Sequence, residues 1–355
     1  MNRKQILKLL GEKRGEFERG LKNSITDVKG VKAGHLTINK DLQGSTGEKT
    51  SIRTGLTAVI PCEMKEEKRL FAGCFPFRSK NEITGYEVTE DFCYLNSPIV
   101  ISNSYNVGRV YNAILSYGFS LGRTEIWPPI VLGMDDSCLN DMNRFSMDEK
   151  QILQLFHDSS SESVEEGSVG IGLGLRAFNW KGGVGTSSRV LTSDGEQYSL
   201  GVLAASNHGN KIDSKIKKSG VNSDSKAEGG SLILIFAVDL PLVPFQIKQI
   251  TSSIVVSLPP VNILNNFSDS VTCFLFSTAN AMSMENEGPL VFDYSLVNDS
   301  VLERIVKAGA EAVNEAICRS FLLSAPVQGR LGRKIETIPE KEAEKLLREF
   351  ERPNK

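Results

Sequence analysis

Gly229-Gly230-Ser231-Leu232-Ile233-Leu234-Ile235-Phe236-Ala237-Val238 is the most strand-like run of the chain. Its unbroken apolar residues, bounded by glycines, predict a strand buried on both faces. The stretch before it, Asn210 to Gly230, carries eight charges, several Ser and Gly, and only isolated apolar residues. Such a segment can pack neither as a strand nor as a helix. A flexible loop is thus predicted to deliver Ser231 to the first position of a core strand. That junction has a plain reading, a loop meeting a strand, and a chemical one. A hydroxyl at this place, preceded by two residues that tolerate strained backbone, suits attack on its own preceding carbonyl. Hydrolysis of the resulting ester would free a new amino terminus. An α-amine titrates at about 7.7 to 8.0 and can act as base for its own hydroxyl, so no histidine is required.

Outward from this junction, Leu56 to Ile60, Pro98 to Ser102, Ile130 to Leu132, Tyr198 to Ala205 and Thr272 to Phe276 read as strands. Val107 to Tyr117, Met147 to His157, Val243 to Val256 and Ser300 to Phe321 have helical apolar spacing. Strands and helices therefore share one layered α/β (α+β) architecture. Residues 1–22 mix seven Lys or Arg with three Glu, and Ile6, Leu9, Leu10, Phe17 and Leu21 fall near helical spacing. They predict an amphipathic helix rather than a secretory or transit segment. Lys341 to Phe350 predicts a charged helix within a C-terminal tail, 341–355. Asp158 to Gly167 predicts a surface loop.

Forty-one basic against 43 acidic residues leave a net charge of −2, which argues against a nucleic-acid partner. No apolar run approaches the 18 or more residues a membrane helix needs, so a cytoplasmic protein without a membrane partner is expected. Six scattered cysteines without a Cys-x-x-Cys pair and three dispersed histidines give no metal-ligand spacing. The glycines at 170, 172, 174, 182, 183 and 185 lack the spacing of a dinucleotide loop and predict close backbone packing instead.

The stretches Ile25 to His35, Ile52 to Ala58, Asn81-Glu82-Ile83-Thr84-Gly85, Ser97 to Gly108, Leu139-Asn140-Asp141, Gly167 to Arg189, Leu200 to Gly209, Glu228 to Pro244 and Phe276 to Asn280 resemble, in order, the L-aminopeptidase/D-esterase family that includes the β-peptidyl aminopeptidases. The resemblance implies one αββα hydrolase domain over 23–340, of the N-terminal-nucleophile-like, ornithine-acetyltransferase-related type. It implies a chain cut into 1–230 and 231–355, the pieces staying together in a homo-oligomer of cleaved protomers. It implies no metal or organic cofactor, and small peptides or amino-acid amides and esters as substrates. Carried over, Ser231 is the nucleophile after the Gly230 carbonyl, and Asn207 is the oxyanion donor. Asn103, Tyr105 and Asn106 match a segment lining the substrate pocket.

Two departures stand out. The family's Ser-Gly-acid triplet reads Ser268-Asp269-Ser270 here, so Ser270 holds the acid's place. Asp269 could serve through a one-residue slip, which in a regular strand would turn it to the other face. The family glutamate that holds the substrate ammonium is replaced by Gly133, and Asp135, two residues on and on the same face of a strand, is a candidate to take over. The leading expectation is an autoprocessed serine aminopeptidase. The alternatives are an inactive homologue that serves as a binding or assembly module and, more distantly, an acyl-transferring relative.

Overall fold

The strand beginning at Ser231 is buried at every position, Ser231 to Val238, because sheet neighbours flank both edges and helix or sheet covers both faces. The computed structural model describes residues 15–43, 49–123, 128–144, 146–193, 195–209, 230–258, 269–283 and 290–350, without the side chains of 348–350. In chain order the main elements are β1 (Lys32–Gln43), β2 (Lys49–Ile60), β3 (Lys68–Phe77), α1 (Tyr86–Phe92), β4 (Ile99–Asn103), α2 (Val107–Ser120), β5 (Ile130–Met134) and α3 (Glu149–Asp158). They continue with β6 (Gly183–Ser193), β7 (Glu196–Asn207), β8 (Ser231–Val238), α4 (Pro244–Ser257), β9 (Ser270–Ser277), β10 (Met282–Ser283), α5 (Leu302–Leu322) and α6 (Glu340–Phe350).

One sheet runs β1-β2-β4-β5, and the larger runs β10-β3-β9-β8-β7-β6, with Tyr94–Leu95 paired beside β3. Among the described residues only the β4–β5 and β8–β9 pairs are parallel. Side-chain alternation sorts β8 into two cores. Leu232, Leu234, Phe236 and Val238 pack with Ile247, Ile250 and Ile254 of α4 and Ile305 and Val313 of α5. Ile233, Ile235 and Ala237 face the other sheet, against Ile99, Ile101, Ile130 and Leu132. On the far side of that sheet, Leu56, Ala58, Val100 and Val131 meet Val110 and Ile114 of α2 and Ile152 and Phe156 of α3. The order is helix, sheet, sheet, helix: the αββα sandwich. Burying one Leu, Ile or Phe side chain is worth about 1.5 to 3 kcal/mol, so the run behind Ser231 holds it at a defined place.

Local signals explain the helix starts. Asp148 accepts from Gln151 N at 2.9 Å and Gln151 Oε1 accepts from Asp148 N at 3.1 Å, closing a capping box on α3. Pro244 opens α4, where a missing N–H costs nothing. The glycine-rich stretch becomes a 3-10 turn, Gly170–Gly174, and the start of β6. A β-carbon on Gly185 would overlap the Ala316 carbonyl and approach Ser320 N on α5. Gly185→Ala is therefore expected to destabilise the fold by about 1 to 3 kcal/mol, whereas Gly108→Ala, with open space around it on α2, should be neutral or stabilising. Thermal unfolding of both variants checks this.

The amino-terminal helix is corrected in part. Residues 1–14 lie outside the described residues, but 15–22 are not helical. Gly15 has φ +113°, Glu18 bridges to Val190, and Glu311 accepts from the main-chain N of Glu16 at 2.7 Å. Long-range anchoring overrides the local apolar spacing. The predicted C-terminal helix appears as α6, and 351–355 lie outside the described residues. Among the described residues no helix is long and apolar enough to cross a membrane.

Candidate active site

Three adjacent strands of the larger sheet bring Asn207, Ser231 and Ser270 side by side. Asn207, last in β7, lies opposite Ser231 in the antiparallel ladder, and Ser231 lies beside Ser270 in the parallel one. Their side chains share a face with Ala205, Ile233 and Phe274, all of which belong to the core between the sheets. Ser231 and Ser270 are both buried. The carbonyl of Gly230, immediately before Ser231, accepts the Ser270 main-chain N–H at 2.9 Å and the Ser270 hydroxyl at 3.4 Å. A carbonyl polarised by donors fixed in a ladder needs no reorganisation as negative charge develops on it.

Asp269 stands just before β9, so Ser270 keeps the register position opposite Ser231 and the slip considered above is not made. The buried Asp269 carboxylate instead spans two chain segments. Oδ1 accepts from Gly230 N at 2.8 Å and Oδ2 from Gly209 N at 3.2 Å. One acidic side chain thereby ties both boundaries of 210–229 beside the Gly230–Ser231 bond. Ser268 lies outside the described residues.

Asn207 is oriented from both ends of its carboxamide. Oδ1 accepts from Arg176 N at 3.0 Å and Nδ2 donates to the Asp135 carbonyl at 2.7 Å. That assignment fixes the amide flip and leaves the second Nδ2 hydrogen for another acceptor. Arg176–Ala177 pairs with Trp180–Lys181 through a tight turn in which Phe178 and Asn179 have φ +52° and +65°. Phe178 N donates to the His208 carbonyl at 3.0 Å, and its ring stacks edge-on against the His208 imidazole at 5.2 Å.

At the end of β5, Asp135 is exposed and its Oδ1 accepts from Ser137 N at 2.8 Å. Asp136 is fully buried, with Thr54 Oγ1 donating to Oδ2 at 2.5 Å and Asn140 Nδ2 to Oδ1 at 2.9 Å. Burial pushes its carboxyl up to about 7. A carboxyl that binds its proton more tightly when folded adds stability at acid pH that is lost as pH rises through about 7. Asn103 and Asn106 are buried too. Asn103 Nδ2 donates to Thr54 Oγ1 at 3.0 Å, while its Oδ1 accepts from Asn106 N at 3.1 Å and Asn106 Nδ2 at 3.0 Å. These two build the turn into α2, whereas Tyr105 between them is exposed. Above Gly133, the place a β-carbon would take is filled by Glu82 Oε2, with Ser104 Oγ 3.1 Å away. The Glu82 carbonyl accepts from Gly133 N at 2.8 Å. Neither Glu82 nor Asp136 carried a signal of its own in the sequence, because only the strand pairing reveals what each faces.

An αββα sandwich with serine at the head of a central strand and polar ends on both neighbouring strands defines a hydrolase of the N-terminal-nucleophile fold class. The chain belongs to peptidase family S58, whose profile matches residues 23–335, and it is a hydrolase of the aminopeptidase type. It is 28% identical to a β-peptidyl aminopeptidase of Sphingosinicella microcystinivorans, over 94% of this chain and 89% of the relative. Among solved structures it resembles the L-aminopeptidase D-Ala-esterase/amidase of Ochrobactrum anthropi, described as a prototype for the serine aminopeptidases and a variant of the Ntn hydrolase fold. That match has a TM-score of 0.85 and 27% identity, and covers 97% of this chain and 98% of that one. The PH0078 protein of Pyrococcus horikoshii OT3 superposes equally well, at TM-score 0.85 and 29% identity, over 98% of this chain and 99% of that one.

Proposed function

We propose that the protein is a serine aminopeptidase that cuts itself between Gly230 and Ser231 and then uses Ser231 as an amino-terminal nucleophile. One observation carries the reading: the carbonyl immediately before Ser231 is held by the N–H and hydroxyl of Ser270. In self-cleavage, Ser231 Oγ bonds to the Gly230 carbonyl carbon and the C–N bond breaks. The hydroxyl proton ends on the nitrogen, which becomes the α-amine. Water then splits the ester, restoring the hydroxyl and leaving a carboxylate on Gly230. In turnover the α-amine takes the Oγ proton, Ser231 attacks the substrate acyl carbon, and the second Nδ2 hydrogen of Asn207 stabilises the oxyanion beside the Ser270 donors.

The substrates are small peptides, amides or esters with a free amino terminus. Glu82, packed over Gly133, and Asp135, just past the end of β5, supply negative charge for the ammonium in place of the side chain that Gly133 lacks. Glu82→Gln and Asp135→Asn are expected to raise KM, the larger effect marking the closer carboxylate, with little change in self-cleavage, which involves no ammonium. The test of the whole reading is a denaturing gel together with an assay on amino-acyl p-nitroanilides, with and without amino-acetylation and with and without chelator. Pieces of 230 and 125 residues, the smaller beginning Ser-Leu-Ile-Leu, and chelator-insensitive hydrolysis of free-amine substrates alone are expected. A chain that stays whole on long incubation at neutral pH overturns the reading. A cut protein that turns over none of a broad panel favours the inactive homologue, which the two departures at Gly133 and Ser270 keep in view.

A further inference from the structure

Lys181 is completely buried, a place where an ammonium is costly unless its hydrogens are satisfied. Its Nζ donates to three main-chain carbonyls, those of Gly172 at 2.6 Å, Leu175 at 3.0 Å and Gly182 at 2.6 Å. Among the described residues no carboxylate pairs with it. Three acceptors use all three hydrogens of the charged form, whereas a neutral amine has only two to give. Burial lowers the ammonium to about 7, and what opposes that loss of charge is the clasp of carbonyls, with no counter-ion among the described residues.

The clasp closes the base of the turn that grips the candidate site. Leu175, whose carbonyl Lys181 holds, directly precedes Arg176, whose N–H donates to Asn207 Oδ1. Lys181 is itself the strand partner of Arg176. The turn between them carries two side chains at positive φ, a conformation that persists only when its surroundings enforce it. Gly182, the third carbonyl of the clasp, abuts the Ser206 carbonyl, one residue before Asn207.

We propose that Lys181 is a positioning residue for catalysis: its clasp on three carbonyls fixes the Arg176–Lys181 turn, and the turn aims the Asn207 carboxamide at the oxyanion. The inference rests on the role given to Asn207 above. A displaced oxyanion donor loses transition-state stabilisation while ground-state binding persists. Lys181→Met is therefore expected to lower kcat about 10- to 100-fold with KM changed less than about threefold. Because the effect runs through Asn207, the same substitution in an Asn207→Ala background should cost less than about threefold.

The experiment is this double-mutant cycle, read as kcat and KM on amino-acyl p-nitroanilides with cleaved protein. Lys181→Gln, which keeps two donors, is read in the same way if Lys181→Met does not accumulate as folded protein. An unchanged kcat, or a full loss repeated in the Asn207→Ala background, overturns the positioning role while leaving the serine aminopeptidase intact. A parent protein that is neither cut nor active removes the proposed function and this inference with it. An Asn207→Ala variant as active as the parent removes the role of Asn207, and with it that of Lys181, but leaves Ser231 untouched.

Discussion

Ser231→Ala is expected to leave the 355-residue chain whole and to reduce aminopeptidase turnover by about 10⁴-fold or more. The two losses coincide because one hydroxyl serves both reactions. It attacks the Gly230 carbonyl once and substrate carbonyls thereafter. The loss is large because a nucleophile acts as a unit with its base and oxyanion donors, and removing it leaves only what the remaining groups do to bound water. The fold should survive: Ser231 is one small side chain at the head of a strand whose apolar residues are all buried. A denaturing gel reads the cut and a p-nitroanilide assay reads the turnover. Ser231→Thr and Ser231→Cys keep a nucleophilic atom at the same place and should retain part of the self-cleavage. A Ser231→Ala protein that still separates into pieces of 230 and 125 residues would refute the assignment of the nucleophile.

The features legible in the sequence were those set by local pattern. The apolar run from Leu232 to Val238 was readable as a core strand because burial on both faces removes alternation altogether. The helices α2 to α5 were readable from their spacing, and the glycines at 183 and 185 from their density. The ends of the strands were a different matter. Asp269 and Ser270 differ by one residue, and which of them stands opposite Ser231 depends on the register between β8 and β9, which local pattern cannot fix. Glu82 and Gly133 are 51 positions apart, and their meeting follows from the chain crossing between sheets after β3. Nothing local in the sequence sets Lys181 apart from the other cations. Its burial is a property of the clasp, which gathers carbonyls from 172, 175 and 182. The same logic applies to residues 15–22, where the apolar spacing predicts a helix and contacts to Val190 and Glu311 hold a non-helical backbone instead.

Asp269→Asn is expected to slow self-cleavage by about 100-fold or more. The carboxylate accepts two main-chain N–H groups, from Gly209 and Gly230. An asparagine can accept only one and turns an N–H of its own toward the other. Leaving a buried donor without an acceptor costs about 1 to 3 kcal/mol, and the relief available to the chain is to move Gly230 away. The Gly230 carbonyl then leaves the Ser270 donors, and a displacement near 1 Å is enough for about a 100-fold loss. Once the bond is cut, Gly230 is no longer part of the reacting group, so cleaved Asp269→Asn protein should show a much smaller fall in kcat. Ser270→Ala makes the contrast. It removes the hydroxyl 3.4 Å from the Gly230 carbonyl but keeps the main-chain N–H at 2.9 Å, so self-cleavage and turnover should both fall by about 10-fold, since each places a carbonyl oxygen at the same donors. The time course of the cut and the kcat of cleaved protein separate the two roles. If Asp269→Asn slowed turnover as severely as the cut, Asp269 would belong to the chemistry of the mature site and not to the presentation of Gly230.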